Sequence, residues 1–585
     1  MYKCGVASPI PGSIHRDAAR RQPETTRRHP LNPVTTPTEE RFITVINSAR
    51  KALAAALSAV LLLGTLAGCA ASGTDKDAHS ADGANTSETA TSSIKRGESH
   101  DPSIVKANGK YYIFGSHLAW LKSDDLINWT SFKNNLSTDY KAIFADIWTD
   151  WSKQSSNPDV DGNMWAPDVV WNETMKKWCM YMSINGANYR SAIVLLTADD
   201  IEGDWTYVGP VVYSGFEKVN AAKTDVWKVL GEGADLTRYA SQTDTGINAI
   251  DPCVKADDNG DMWMTFGSWF GGMWMFKLDP KTGLRDYTVR YPLVPDAADP
   301  YYGVKVAGGY WNSGEGSYFV RHNGWWYLFM AYGWLGRTGG YQIRLFRSKN
   351  LVGPYVDQNG NPAISNGEIP DNHEKDTGIR LTSSVMWGGG PAYEAEVEVS
   401  QGHNSVLRRS SDGRLFLVYH TRFIGRDDGE YEAHVRELLP TADGWLTAAP
   451  FAYQGGDART PANAESILGQ YEVVRHDPHT FFNGTRNEDG SYYGVNRPET
   501  ITLEADGRVT SGSAVSFFDT PEANLPRTTD GPATRGAWRI LGTNLAGVSC
   551  CDGDMAITLD GVTYTGVFAT LPREADGART ATFSA

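Results

Sequence analysis

Cysteine and positive charge are scarce in this sequence, and each shortage removes a class of protein. Six cysteines in 585 residues are too few for a disulfide-stapled scaffold, and no Cys-x-x-Cys spacing offers a zinc site. Cys179 and Cys253 sit in apolar, strand-like runs and read as small buried hydrophobes. Cys550 and Cys551 are adjacent and read as two independent thiols. The net charge is -15, with no basic stripe beyond the extreme N-terminus. A chain of that kind has no footprint for phosphate, which excludes nucleic acid as a partner and favours a neutral or weakly charged ligand.

Aromatic residues and glycine, by contrast, are plentiful: 19 Trp, 27 Tyr and 60 Gly. That composition suits a β-rich protein with many turns, and flat rings pack well on the C–H faces of sugars. Residues 52–68 form an apolar run preceded by Arg50-Lys51 and followed by Cys69, the layout of a secretory signal. Leu66-Ala67-Gly68-Cys69 resembles a lipobox, which implies lipidation of Cys69 and export to the surface of a bacterial membrane. Residues 1–69 are therefore expected to be an N-terminal prefix and signal peptide. Residues 70–97, Ser/Thr/Asp/Ala-rich in their first part, read as a flexible tether.

From residue 100 a pattern recurs five times: a polar signature, a β run, a turn, an aromatic-rich β run and a further strand. The signatures are His100-Asp101-Pro102-Ser103, Trp165-Ala166-Pro167-Asp168, Ile250-Asp251-Pro252, Gly314-Glu315-Gly316-Ser317 and Gly402-His403-Asn404-Ser405. Asn108-Gly109, Asn259-Gly260, Asn323-Gly324 and Asp412-Gly413 supply hairpin turns between apolar runs. Five such copies predict an all-β architecture, a five-bladed β-propeller over 98–455. In a propeller the first strand of each blade lines the central axis, so Asp101, Asp168, Asp251, Glu315 and His403 are expected to converge at one end of it. Carboxyl groups crowded into one cavity repel, so at least one keeps its proton near neutrality. An acid beside a base is what cleavage of a glycosidic bond requires. Glu394, Glu396 and Glu398 alternate before His403 without opening a repeat, and read as solvent-facing or rim residues.

With these motifs in this order, residues 98–455 resemble glycoside hydrolase family 43, and within it the arabinanases. The resemblance implies an inverting mechanism with Asp101 as general base, Glu315 as general acid, and Asp251 holding the acid and raising its pKa. It also implies a calcium ion near the axis with His403 as a ligand. Substrate contacts are expected from Asp101, Asn248, the loop Ser268-Trp269-Phe270, Trp165 and Gly186.

Residues 456–464 read as a linker, and 465–585 as a smaller C-terminal β-barrel or sandwich domain, with runs such as Ile501-Thr502-Leu503 and turns at Asp506-Gly507 and Asp560-Gly561. The leading expectation is an exported, monomeric endo-hydrolase of α-1,5-arabinan in plant cell walls. Its rivals are an exo-acting α-L-arabinofuranosidase or β-xylosidase of the same family, and a non-catalytic glycan-binding surface propeller.

Overall fold

The computed structural model describes residues 94–153, 158–240, 246–309, 314–365, 377–387, 397–455, 467–478, 480–488, 490–511, 533–542, 553–574 and 577–585. The expected signal peptide, Cys69, Cys550, Cys551, Glu394 and Glu396 lie outside them. No helix among the described residues is long and apolar enough to cross a membrane.

Short apolar runs punctuated by tight turns form five antiparallel sheets. The first blade holds β1 (Ser103–Ala107), β2 (Lys110–Phe114), β3 (Trp120–Ser123) and β4 (Thr130–Ser131). The second holds β5 (Met164–Asn172), β6 (Lys177–Ile184), β7 (Ala192–Ala198) and β8 (Thr206–Tyr213). In the third, β9 (Cys253–Ala256), β10 (Met262–Phe266) and β11 (Met273–Leu278) are followed outward by β13 (Gly303–Ala307) and then β12 (Ala298–Asp299). The fourth holds β14 (Glu315–His322), β15 (Trp325–Tyr332), β16 (Gln342–Ser348) and β17 (Ile379–Arg380). The fifth holds β18 (Glu398–Arg408), β19 (Leu415–Phe423), β20 (Glu432–Pro440) and β21 (Leu446–Ala448).

The first strands contact one another in a ring, β1 to β5, β5 to β9, β9 to β14, β14 to β18, and β18 back to β1. That is a five-bladed propeller. Ser405 ties the last blade to the first, donating to the carbonyl of Pro102 at 2.5 Å and accepting from the amide of Ile104 at 3.0 Å. Between blades the faces are filled by large buried side chains, including Phe114, Trp120, Met180, Trp205 and Phe266. Cys179 and Cys253 are free and buried within these faces.

The C-terminal region forms one seven-stranded meander in chain order, from β22 (Gly469–Val473) through β23 (Glu499–Leu503), β24 (Arg508–Ser511), β25 (Thr534–Gly542), β26 (Asp554–Leu559) and β27 (Val562–Pro572) to β28 (Arg579–Ser584). Its own core gathers Ile467, Ile501, Leu503, Val509, Met555, Ile557, Leu559 and Phe568. Val567, Ala569 and Leu571 pack on Leu439 and Ala449 of the propeller. Asn496 pairs with Ser384 and Met386 through backbone hydrogen bonds. A cavity of about 1600 Å³ lies between the two regions, lined among others by Arg380, Trp387, Arg436 and Tyr471.

Candidate active site

Each innermost strand carries, or closely follows, a residue with positive φ: Asp101 (53°), Ala166 (37°), Asp251 (57°), Gly316 (57°) and His403 (43°). This conformation is uncommon for residues with a Cβ and is held only where surrounding structure enforces it. Its recurrence defines the true register of the repeat. Asp101, Asp251 and His403 occupy equivalent places. In the fourth blade the place belongs to Gly316, whose added Cβ would lie 2.9 Å from Cγ of the His403 ring, and Glu315 precedes it. In the second blade the place belongs to Ala166.

Asp168 therefore does not join the upper ring as expected. It lies two residues farther along, past the irregularity in the pairing of β5 with β6. There it is 2% exposed, and its carboxylate accepts from Ser103 Oγ at 3.0 Å and from the amide of Val254 at 2.7 Å. Asp168 stitches the first three blades together beneath the site.

The upper ring is densely bonded. Asp101 Oδ1 meets Nδ1 of His100 at 2.8 Å and Nδ1 of His403 at 3.0 Å. Ser116 Oγ donates to Asp101 Oδ2 at 2.5 Å and accepts from the amide of Ala166 at 2.8 Å. Burial alone would raise the Asp101 pKa, but the charges and hydrogen bonds of His100 and His403 outweigh it and hold the carboxyl well below its ordinary range. Asp101 is thus ionised at neutrality.

Asp251 and Glu315 behave oppositely. Burial pushes Asp251 upward, and the neighbouring Glu315 and Asp101 carboxylates add to that against the pull of His403. Burial also raises Glu315, with Asp101 adding, against opposition from His403 and from hydrogen bonds by Tyr341 and Ser268. Ser268 Oγ lies 2.9 Å from Glu315 Oε2. Burial disfavours the charge of His403, yet Asp101, Asp251 and Glu315 around it raise its pKa to about 9. One ionised carboxylate therefore shares a cavity with a pair that retains a proton, the division of labour an acid–base reaction needs.

The expected substrate contacts fall around this ring. Asn248 is buried, with Nδ2 3.4 Å from Asn185 Oδ1, and its own Oδ1 has no protein partner. Trp165 precedes Ala166, is half-buried, and anchors its indole N–H on the carbonyl of Gly162 at 2.9 Å. Ser268, Trp269 and Phe270 follow β10, and the Trp269 amide donates to the carbonyl of Gly314 at 2.9 Å. Gly186 ends β6 in the corresponding place, where a Cβ would meet the carbonyl oxygen of Arg190 at 1.8 Å. Its side-chain-free backbone is required by packing.

Several residues at the site were not singled out from sequence. Tyr341 is 2% exposed, hydrogen-bonds Glu315 and packs where a Cβ on Gly402 would approach its ring to 2.0 Å. His420 stacks on His100 with ring centroids 3.8 Å apart and accepts from the Asp101 amide at 3.4 Å. Ser116 had a visible signal, since Gly115-Ser116 in the first blade repeats as Gly267-Ser268 in the third. Glu398 is a correction of the opposite kind. It is 8% exposed, not a rim residue, and accepts from Tyr419 at 2.8 Å and Arg436 at 2.8 Å and pairs with His434 Nδ1 at 3.0 Å. Neighbouring strands of the fifth blade cover it, so the strand face that carries it is an interior one.

For a metal, the donor set matters. His100, Asp101 and His420 bring their ligand atoms within 4.8 Å of one another, and His403 reaches the same Asp101 oxygen. His403 could offer its second ring nitrogen to an ion, the first staying on Asp101, only by giving up the proton that the surrounding carboxylates favour. Calcium prefers oxygen, and the Asp101 oxygens are already engaged, so these residues fit an ion held by one histidine and completed by water.

The fold and the acid–base pair define a glycosidase. The family model described as glycosyl hydrolases family 43 matches residues 90–225 and 231–446, and that described as a C-terminal lipocalin-like domain matches residues 450–585. The chain belongs to glycosyl hydrolase family 43. Within it, the chain is a hydrolase of the arabinanase type. It is 34% identical to the extracellular endo-α-(1→5)-L-arabinanase of Thermotoga petrophila over 418 residues, 70% of this chain and 80% of that one. It is 31% identical to the extracellular endo-α-(1→5)-L-arabinanase 2 of Bacillus subtilis over 481 residues, 80% of this chain and 86% of that one. The crystal structure of the Thermotoga petrophila endo-1,5-α-L-arabinanase superposes with a TM-score of 0.62 at 28% identity, covering 84% of this chain and 96% of that one.

Proposed function

We propose that the protein is an exported endo-arabinanase that cleaves α-1,5-arabinofuranosidic bonds with inversion. The observation that carries this reading is the ring in which Asp101 is held ionised while burial and crowding drive the Asp251–Glu315 pair toward keeping a proton. Asp101 takes a proton from water, whose oxygen attacks the anomeric carbon. The bond from that carbon to the leaving oxygen breaks as Glu315 delivers its proton there. With the pair's proton on Glu315, the Asp251 charge opposes its loss until the leaving oxygen takes it. The hydrogen bonds that fix Asp101 lower its basicity as well as its pKa, so its contribution comes from position more than from proton affinity.

Calcium on His403 would supply positive charge beside the carboxylates when bound. Metal analysis of the purified protein tests this: calcium at one equivalent, lost in His403→Ala, is expected, and no bound calcium in the intact protein would refute it. The names of the relatives support export and internal cleavage. Lipidation at Cys69 and a monomeric state complete the proposal. Sizing of products from debranched arabinan tests the endo reading. Short arabino-oligosaccharides should appear before arabinose; arabinose as the sole early product would mean exo action, and no release would leave a glycan-binding propeller.

A further inference from the structure

Trp334 lies outside every motif that carries the reaction, yet it is a large aromatic side chain left 42% exposed at the active-site end of the propeller. It follows β15 in the fourth blade, whose first strand presents Glu315. Its ring meets that of Trp269 edge-on, with centroids 5.3 Å apart and planes at 64°. Trp269 is itself fixed to the acid, because its amide binds the carbonyl of Gly314 at 2.9 Å while Ser268 binds Glu315 at 2.9 Å. A short chain of contacts thus runs from the acid through Trp269 to Trp334.

The loop that carries the indole is held at many points. The Trp334 amide donates to Gly339 O at 2.9 Å. Gly336 and Gly339 lie beneath it; a Cβ on Gly339 would meet the Trp334 carbonyl oxygen at 2.1 Å, and one on Gly336 the indole nitrogen at 3.1 Å. The fifth blade clamps the rest of the loop. Arg422 Nε donates to Leu335 O at 2.9 Å, and Ser400 Oγ to Gly336 O at 2.6 Å. Arg337 donates to the carbonyls of Ile424 and Arg426, both at 2.8 Å, and its amide donates to Asp428 at 3.0 Å. An exposed indole on a clamped loop, with one edge packed on Trp269, stacks on a ligand at less ordering cost than a side chain on a mobile loop.

Resting on the proposed reaction, we infer that Trp334 is a stacking platform for an arabinofuranosyl unit of the leaving chain. The acid protonates the leaving oxygen, so the departing part of the substrate must lie beside Glu315. Trp269 flanks that position, and Trp334 takes the next sugar outward. The platform sets how strongly the enzyme prefers substrates with several units beyond the scissile bond.

The test compares two substrates in intact protein and in Trp334→Ala and Trp334→Phe. Arabinohexaose extends along the platform; a chloronitrophenyl arabinotrioside, with one aryl ring as leaving group, does not reach it. For Trp334→Ala, kcat/KM on the hexaose should fall about tenfold further than on the aryl trioside, the size of one aromatic stacking contact, with Trp334→Phe recovering much of the loss. Equal losses on both substrates, or none on either, would overturn the assignment. Calorimetric binding of arabinohexaose to Glu315→Gln, with and without Trp334→Ala, separates this from the reaction itself. If intact protein does not cleave arabinan the proposed reaction fails, while weaker hexaose binding without Trp334 still supports the platform and unchanged binding refutes it.

Discussion

Two clusters of buried charge sit on the same propeller and have opposite characters. Around Glu398, one carboxylate meets Arg436, His434 and the hydroxyl of Tyr419, and although burial opposes ionisation these partners hold its pKa well below the ordinary value. Around the axis, Asp101, Asp251 and Glu315 share His403 and cannot all be compensated, so Asp251 and Glu315 are driven toward the neutral form. A saturated cluster holds structure together, whereas an under-compensated one stores a proton that chemistry can use.

The largest effect expected from this contrast is on activity. Glu315→Gln should lower kcat on arabinan by about 10²–10⁴-fold, the usual contribution of general acid catalysis, with little change in the urea midpoint. Glu398→Gln should do the reverse. Breaking the pair leaves Arg436 buried without its counter-charge, which costs about 3 kcal/mol of stability in urea unfolding, while turnover per folded molecule is largely kept. A large activity loss in folded Glu398→Gln would erase the distinction.

A pH profile sharpens it. As the proposed acid, Glu315 must carry its proton, so kcat/KM is expected to fall as pH rises through its pKa, which burial and, secondarily, the Asp101 carboxylate hold above the ordinary value. Asp251 and Glu315 repel each other, so Asp251→Asn removes part of that elevation and should move the alkaline limb to lower pH. An unmoved limb would mean that Asp251 does not act on the acid through charge. The smallest effect concerns Ser268→Ala, which deletes one hydrogen bond to Glu315. It should reduce kcat/KM about fivefold and lower stability by about 1 kcal/mol, the size of one hydrogen bond.

What the sequence revealed follows the same line. The five blades were legible because each repeats a polar signature, an apolar run and, in four copies, an Asn-Gly or Asp-Gly turn, and short-range turn chemistry fixes hairpins locally. Asp101, Asp251, Glu315 and His403 were legible as one group because each belongs to the signature of a repeat whose first strands share an axis. Asp168 was misplaced by two residues because its motif was aligned on the acid; aligned on proline, Ala166-Pro167 matches Asp101-Pro102 and Asp251-Pro252. Glu398 was misread because alternation shows that residues share a face, not whether that face is covered. Its cover comes from Tyr419, His434 and Arg436, on strands β19 and β20. Tyr341 was invisible for a similar reason, since its seat exists only where Gly402 of the next blade leaves room.

In the proposed reaction Glu315 protonates the leaving oxygen. The most direct test of this step is the leaving-group dependence of Glu315→Gln, comparing arabinan with a chloronitrophenyl arabinotrioside whose aryl oxygen departs without a proton. A large loss on arabinan and at least about tenfold less on the aryl substrate are expected. Equal losses on the two substrates would contradict it and assign the acid to another residue.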